Sequence, residues 1–477
     1  MWHRPVILLV IFLFPATWAA AEDRFLAGWA SASITPDQPV ALEGQVRTRV
    51  STHVQDPVTA TALAMERKPE TGAVESAILI SCDLVAIRTG ILEGLRERLA
   101  SRLSGFDVRK VFLHATHTHT APAMTPGLYD IPEGVMQPAD YIEFLVGRLA
   151  DCAEQAWKSR KPAGVSWALG HAVVGHNRRA VYKGGDARMY GKTDLPGFSH
   201  VEGYEDHSVD LLFFWDHDAK LTGVGINVSC PSQSVEGASY VSADFWHDVR
   251  VELRKRYSKD LFVYPMTGAS GDQSPHLLLH KRAEQKNLER RGLAARQETA
   301  RRIVSAVTDA FEIANRDIRF NPPFVHKVED LRLPVRKVSA AEAENARQEM
   351  ERTARDAAAD RTYVLYRNKG VLERYERQDR EPFYAMELHV LRLGDVAIAT
   401  NPFELYLDFG LQIEARSPAE QTFIVQLAGR GMYVPTARAL SGGGYGTEAY
   451  VSLVGPEGGE VLVERTVETI NALWPER

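Results

Sequence analysis

The sequence predicts an α/β fold: a single large domain in which mixed β-sheets are flanked by helices. Short apolar runs of strand length alternate along the chain with longer segments whose apolar residues recur at helical spacing. No internal repeat or low-complexity linker separates one part of the chain from another. With 477 residues, 45% of them hydrophobic, the chain is long enough to bury a large core.

The first residues have the three parts of a secretory signal peptide. Met1 to Arg4 form a basic start, residues 6–14 an apolar centre, and residues 19–21 a small-residue cleavage site. We expect residues 1–21 to be cleaved after Ala21, leaving a periplasmic or secreted hydrolytic domain over residues 22–477. The apolar centre is too short to span a bilayer comfortably, and no second run of spanning length occurs. The mature chain is therefore expected to have no transmembrane segment.

The net charge and the number of cysteines limit the possible binding partners and the possible disulfide bonds. The formal net charge is −6, and no basic face suggests nucleic-acid binding. The three cysteines are Cys82, Cys152 and Cys230. An odd number in an oxidising compartment leaves at least one thiol unpaired or with another role.

A strand–helix–strand unit comes early in the chain. Strands are expected at residues 25–35, 58–65, 76–81 and 108–113, with an amphipathic helix at residues 86–103. In open α/β sheets, sites lie beyond the carboxyl ends of strands. His117 follows one of these strands and Asp83 follows another, so His117 is a candidate for chemistry, and Asp83 for the same site or a second ion.

The remaining elements continue the alternation of strands and helices. Strands are expected at residues 165–174, 211–215, 223–228, 261–266, 325–335 and 422–427, and as a pair within 387–400. Helices are expected at residues 138–158, 244–257, 286–314, 340–359, 405–415 and 459–473. Residues 183–205 are rich in glycine and proline and are expected to form an irregular loop.

The apolar run at residues 111–113 leads into His117-Thr118-His119. If this run continues as a strand, alternate side chains share a face, so His117 and His119 point the same way. Two imidazoles together can hold a divalent metal ion and move a proton beside it. The alternative is a pair of surface or hydrogen-bonded histidines without chemical function.

Six motifs in order resemble those of a known enzyme family. They are His117-Thr118-His119, Asn177-Arg178, Gly271-Asp272-x-Ser274-Pro275, Pro402-Phe403-Glu404, Tyr433 and Tyr445. Together they resemble the catalytic domain of the neutral/alkaline non-lysosomal ceramidases, over nearly the whole mature chain. These are exported zinc amidases that split ceramide into sphingosine and fatty acid. The resemblance implies an amide hydrolase with Zn²⁺ as its cofactor.

The resemblance also implies roles for individual residues. The zinc ligands would be His117, the residue at position 230, Glu404 and Tyr433. Among the catalytic residues, His119 would be the general acid or base, Arg178 and Tyr445 would stabilise the oxyanion, and Ser274 would be a nucleophile or a hydrogen-bond partner.

Position 230 departs from the family, which has a histidine before proline where this chain has Cys230-Pro231. A thiolate is a good zinc donor, so Cys230 is expected to be a metal ligand. It could instead be a nucleophile with His117 or His119 as base and no metal, or an inert buried cysteine beside a degenerate site.

These interpretations lead to three functional hypotheses. The first is a zinc-dependent hydrolase cleaving an N-acyl bond in ceramide or in another N-acylated lipid or amino sugar. The others are a non-catalytic binding protein on the same scaffold and a metal-free cysteine hydrolase using Cys230. Two differences from the ceramidases leave the substrate open: the Gly-Gly-Gly-Tyr-Gly sequence around Tyr445, and the expected lack of their extra C-terminal β-domain.

Overall fold

The computed structural model describes residues 24–68, 73–355 and 360–475. The predicted signal peptide lies outside the described residues. Strands, in chain order, are β1 Arg24–Ser33, β2 Thr59–Lys68, β3 Glu75–Cys82, β4 Val111–Ala115, β5 Lys161–His171, β6 His176–Asn177, β7 Arg179–Tyr182, β8 Ala187–Met189, β9 Phe198–Val201, β10 Ser208–Asp216, β11 Leu221–Val228, β12 Phe262–Thr267, β13 Gln273–Ser274, β14 Phe324–Pro334, β15 Phe383–Leu393, β16 Val396–Thr400, β17 Glu404–Leu405, β18 Gln421–Val425 and β19 Tyr433–Val434.

The α-helices surround these strands. They are α1 Ile91–Arg102, α2 Pro138–Lys158, α3 Phe245–Arg256, α4 Lys281–Arg291, α5 Ala295–Ala314, α6 Ala340–Ala354, α7 Arg361–Arg377, α8 Leu407–Arg416, α9 Ala437–Gly442 and α10 Pro456–Asn471. None of the helices in the described ranges is long and apolar enough to cross a membrane.

Two large mixed sheets pack face to face. One has eight strands in the order β12-β11-β10-β5-β1-β2-β3-β4, and the other has four in the order β14-β15-β16-β18. Phe112 and Phe214 of the larger sheet share a buried cluster with Leu391 and Phe423 of the smaller. Helices α1, α2, α3 and α5 pack on the outer face of the larger sheet, and α8 and α10 on that of the smaller. The predicted α/β class with mixed sheets flanked by helices is confirmed.

Strand β3 shows how the sequence produces this layering. Ala77 and Leu79 belong to the cluster between the two sheets, whereas Ile78 and Ile80 belong to the cluster under α1 and α2. Side chains alternate faces along a strand, so a continuous apolar run is buried on both sides. The β3–α1–β4 unit is present as expected, and β3 pairs parallel to β4. It carries the chain to the His117 motif.

Several segments differ from the sequence expectations, and three of them are longer than a few residues. Residues 183–205 contain β8 and β9, which pair with β7 in a small sheet. The helix expected at residues 286–314 is two helices, α4 and α5, because Gly292 adopts φ 66° and ends α4. Helix α7 was not predicted, since only Val364, Asn368 and Val371 are buried along it.

Asp83 has a structural role, so its expected place in the site or at a second ion is wrong. Its carboxylate accepts hydrogen bonds from both terminal nitrogens of Arg250, at 2.8 and 3.0 Å. It also accepts from the backbone and hydroxyl of Thr59 at 2.8 and 2.9 Å. Both charged groups are buried. This ion pair joins the end of β3 to α3.

His114 makes stability depend on pH. It is buried on β4, where Nε2 lies 2.9 Å from the Tyr264 hydroxyl, and burial lowers its pKa to about 3. In the unfolded chain His114 is protonated below about pH 6.5, whereas in the folded chain it stays neutral at that pH. The free energy of unfolding therefore falls as the pH drops below about 6.5. Between pH 7 and pH 4.5 the free energy of unfolding should fall by about 2–3 kcal/mol less in His114→Gln than in the wild type. Urea unfolding at the two pH values measures this difference. Equal losses in both proteins would contradict this.

Candidate active site

His117 and His119 meet just beyond the end of β4. Strand β4 ends at Ala115, and His117 has a left-handed backbone with φ 68°. The strand alternation expected for the two histidines is therefore wrong. Their rings nevertheless face each other, with 3.2 Å between the two Nε2 atoms. The turn, rather than a strand, brings the imidazoles together.

The orientation of His117 is set by a backbone carbonyl. Its Nδ1 lies 2.7 Å from the carbonyl oxygen of Val85, which can only accept, so Nδ1 carries the hydrogen. Nε2 lies 3.4 Å from Glu404 Oε2, where the protonated ring pairs with the carboxylate and the neutral ring offers its lone pair to a metal ion. Burial disfavours the ionised form of Glu404, but His117, a hydrogen bond with Tyr433 and the charge of Arg178 together hold its pKa below the usual range. The carboxylate is thus charged inside the protein.

Glu404 and Tyr433 are neighbours because two short strands pair. β17 and β19 run parallel with Glu404 opposite Tyr433. Gly271 lies against this pair: a Cβ there would lie 2.3 Å from the Glu404 carbonyl oxygen. The Gly271-Asp272 motif therefore needs glycine for close backbone approach. Asp272 is structural, since its carboxylate accepts hydrogen bonds from the Leu407 backbone and the Asn177 amide.

Arg178 links Tyr433 to Gln233, which contacts His119. Its buried guanidinium donates to the Gly271 carbonyl at 2.9 Å, to the Tyr433 hydroxyl at 3.1 Å and to Gln233 Oε1 at 3.2 Å. A charged planar donor held in this way offers fixed positive potential beside Glu404 and Tyr433.

Gln233 has a place in the site that sequence reasoning missed. Because Arg178 donates to Oε1 of Gln233, the amide Nε2 faces the Nε2 atom of His119, at 2.8 Å, and donates to it. Burial, followed by the nearby cations, holds the pKa of His119 well below its usual value. His119 is therefore a neutral ring with its lone pair at Nε2. The only sequence signal for Gln233 is its position three residues after Cys230.

The hydrogen bonds of Cys230 go to backbone carbonyls rather than to the other predicted ligands. Its Sγ lies 3.2 Å from the Val174 carbonyl within the buried cluster that contains Phe245 and Trp246. Burial raises the pKa of the thiol well above its usual value. The chain described here contains no group of three or more His, Cys, Asp and Glu side chains that could hold a metal ion. This geometry fits the interpretation of Cys230 as a buried cysteine.

Ser274 is buried behind Arg178. Its Oγ accepts hydrogen bonds from the Tyr190 hydroxyl at 3.1 Å and from the His276 backbone at 3.0 Å. Within the described residues, no imidazole forms a hydrogen bond with this oxygen. Tyr190 also lies 3.3 Å from Arg178, so Ser274 belongs to the layer that supports the guanidinium.

Tyr445 lies next to Tyr433, with 5.6 Å between ring centroids. Its loop is held by Arg179, which donates to the carbonyls of Tyr445 at 3.2 Å and Gly443 at 2.7 Å. Arg179 is itself paired with buried Glu202 at 2.7 Å. The loop of Tyr445 is thus fixed against the site by a buried ion pair.

The imidazole of His117 and the carboxylate of Glu404 are separated by a distance that suits two zinc ligands. His117 Nε2 and Glu404 Oε2 are 3.4 Å apart, and two ligands of a tetrahedral zinc ion with bonds of about 2.0–2.1 Å are separated by roughly 3.3–3.4 Å. The Tyr433 hydroxyl is hydrogen-bonded to the same carboxylate. Catalytic zinc sites use three protein ligands and keep one position open. The imidazole–carboxylate distance therefore matches that between two zinc ligands, and the Tyr433 phenol is a further oxygen donor beside the carboxylate.

Gly44 controls the space available to His119. It has φ 104°, and a Cβ there would lie 2.4 Å from His119 Cγ. We expect Gly44→Ala to displace the imidazole and lower kcat by about 10²-fold in any reaction that uses it. Gly127→Ala is the matched control, because Gly127 has φ 74° but no atom within 4 Å of an added Cβ. Equal effects of the two changes would show that backbone strain, rather than His119, is responsible.

The comparisons with known proteins establish the fold. No protein-family model and no curated protein matches the chain. A crystal structure of neutral ceramidase from Pseudomonas aeruginosa matches with a TM-score of 0.71 and 16% identity, covering 95% of this chain and 75% of that one. A structure of a ceramidase complexed with C2 matches with a TM-score of 0.69 and 15% identity, covering 95% and 76%. The chain has the neutral ceramidase fold.

Proposed function

We propose that the protein is an exported, zinc-dependent amide hydrolase that cleaves an N-acyl bond in ceramide or in another N-acylated lipid or amino sugar. The observation that supports this most is the buried convergence of His117, His119, Glu404, Arg178 and Tyr433 on a neutral ceramidase fold. An unactivated amide needs a polarised carbonyl, a nucleophile and a proton for the leaving nitrogen. Each of these needs has a candidate group in the site.

The metal part of the proposal uses His117, Glu404 and Tyr433 as ligands. Zinc bound there would supply Lewis acidity and lower the pKa of a bound water to about 7. Cys230 is left out of the ligand set, since its sulfur lies against the Val174 carbonyl.

The protein's own groups handle the proton and the developing charge. Water attacks the acyl carbon, His119 Nε2 exchanges its hydrogen bond from the Gln233 amide for the proton of that water, and the C–N bond breaks as the proton passes to the leaving nitrogen. The products are a carboxylic acid and an amine, and at neutral pH the proton of the acid passes to the amine. Arg178 and the Tyr445 phenol are proposed to stabilise the oxyanion. Water rather than Ser274 is the nucleophile, because Ser274 Oγ is bound to Tyr190 and the His276 backbone, neither of which is a base.

The rival function is a non-catalytic binding protein. One observation favours it. Position 230 was expected to provide a metal ligand, but the Cys230 side chain packs in the apolar cluster under α3. The cysteine hydrolase has no such support, because burial keeps the Cys230 thiol protonated and its hydrogen bonds go to carbonyls.

The test is amine release from a panel of N-acyl compounds by the purified mature protein. His119→Gln is expected to lower kcat by about 10²–10⁴-fold. His276→Gln is the matched control, because that imidazole lies beside Glu236, with 3.5 Å between the charged atoms, and does not contact His119. Zinc bound tightly without hydrolysis of any compound would overturn the proposal and favour the binding protein.

A further inference from the structure

Six side chains of the candidate active site contact one another in a closed ring, which we call the contact ring. In order around it they are His117, His119, Gln233, Arg178, Tyr433 and Glu404. The three proposed metal ligands are consecutive members and make up one half of the contact ring. In the other half, Gln233 stands between the proposed base His119 and the cation Arg178. Gln233 therefore has a position among the reacting groups but no role in the mechanism described above.

The contacts of Gln233 fix the direction of its side-chain amide. Arg178 donates to Oε1 at 3.2 Å, and a guanidinium has no acceptor, so a flipped amide would place two donors face to face. The backbone is held as well, because the neighbouring Ser232 donates to the carbonyl of Thr116 at 3.2 Å. The side chain of Gln233 is 1% exposed. The amide nitrogen therefore points to His119 and is shielded from solvent.

The amide nitrogen of Gln233 has more hydrogens than it uses. It carries two N–H groups, and one of them donates to His119 Nε2 at 2.8 Å. Among the residues that the structure describes, no second acceptor contacts this nitrogen. Buried polar groups are almost always hydrogen-bonded, so an unused donor beside the proposed base is a candidate for contact with the substrate.

The proposed reaction also releases the N–H group that His119 now accepts. When His119 takes the proton of the attacking water, its lone pair is used and the hydrogen bond from Gln233 ends. In the same step the new C–O bond forms, and the π electrons of the acyl C=O bond move onto its oxygen. A donor becomes available as negative charge develops on that oxygen. A hydrogen bond that is stronger in the transition state than in the ground state lowers the barrier.

We propose that Gln233 is a further catalytic residue, whose amide N–H donates to the acyl oxygen of the substrate as that oxygen becomes the oxyanion. The inference rests on the proposed hydrolase function. Arg178 polarises the amide through its bond to Oε1, which makes the N–H group a stronger donor. Gln233 neither gives nor takes a proton. When the C–N bond breaks and the C=O bond forms again, the proton has left His119, and the amide returns to its lone pair.

The experiment compares the wild type with two variants at this position. Gln233→Met keeps the length of the side chain and removes both hydrogen bonds, whereas Gln233→Glu keeps an oxygen for Arg178 and removes the N–H groups. Both should lower kcat for amine release by about 10²–10³-fold while KM changes by less than about threefold. Gln378→Glu is the matched control, because Gln378 is also buried and its amide bonds only to the backbone of Val338. Its kcat should equal that of the wild type.

Calorimetry with methylphosphonate separates a catalytic role from a positioning role. This tetrahedral anion resembles the reaction intermediate, and its binding needs no base. With zinc added, both variants should bind it about 10–100-fold more weakly than the wild type, because a hydrogen bond to a charged oxygen is lost. A lower kcat with unchanged affinity for methylphosphonate would show that Gln233 only positions His119 or Arg178, and would overturn the inference.

The binding measurement also distinguishes this inference from the proposed function. If Gln233→Met and Gln233→Glu both keep the kcat of the wild type, the inference is overturned while the hydrolase function stands. If the wild type hydrolyses no N-acyl compound, the hydrolase proposal fails, and methylphosphonate alone decides. Weaker binding in both variants then supports Gln233 as a donor to an oxyanion, and no binding by the wild type overturns it.

Discussion

His117→Ala is expected to remove zinc and hydrolytic activity together, whereas Cys230→Ser leaves both near the wild-type level. His117 is the one proposed ligand whose ring is fixed from behind, by the Val85 carbonyl at 2.7 Å. Loss of an outer partner of a ligand typically costs about 10–100-fold in metal affinity or activity, and loss of the ligand itself costs more. Elemental analysis and amine release on the same preparations measure both effects.

Cys230→Ser is informative because it tests the sequence-based ligand set directly. The serine hydroxyl can donate to the Val174 carbonyl that the thiol now faces, so the fold should persist. Zinc lost from Cys230→Ser but kept in His117→Ala would reverse the assignment and restore the cysteine as a ligand. A circular dichroism spectrum like that of the wild type establishes that each variant is folded.

The sequence predicts the layers of this fold well because burial leaves a periodic signal. Strand β3 is apolar on both faces, and α2 has the bounds expected from its helical spacing. Helix α7 leaves little such signal, since three buried residues on a polar helix look like a solvated surface segment. The site could be predicted only as a set of residue types, through the resemblance to a family.

The arrangement of the site depends on features that no local pattern records. His117 and His119 come together through a left-handed residue rather than through strand alternation. Cys230 faces the apolar cluster because its side-chain direction is set by packing under α3, while Gln233 faces the histidines. Sequence position alone does not distinguish the residue that turns inward from the one that turns away.

Asp83→Ala is expected to have the largest effect on stability, about 3–5 kcal/mol, because it leaves the buried Arg250 guanidinium without its counter-ion. The double variant Asp83→Ala/Arg250→Met should recover part of this loss, since it removes the uncompensated charge. Urea unfolding of the two single variants and the double variant measures the coupling. Arg416→Ala, which breaks the Glu464 pair of 42% and 56% exposed side chains, is the matched control.

Arg416→Ala should lower the free energy of unfolding by only about 0–1 kcal/mol, because its ion pair is exposed. Asp83 also lies two residues before Val85, whose carbonyl orients His117, so the buried ion pair anchors the segment behind the proposed metal ligand. Asp83→Ala should therefore weaken zinc binding as well as the fold, even under conditions where the protein remains folded. An unfolding free energy for Asp83→Ala no lower than that of Arg416→Ala would show that the pair contributes nothing to the core.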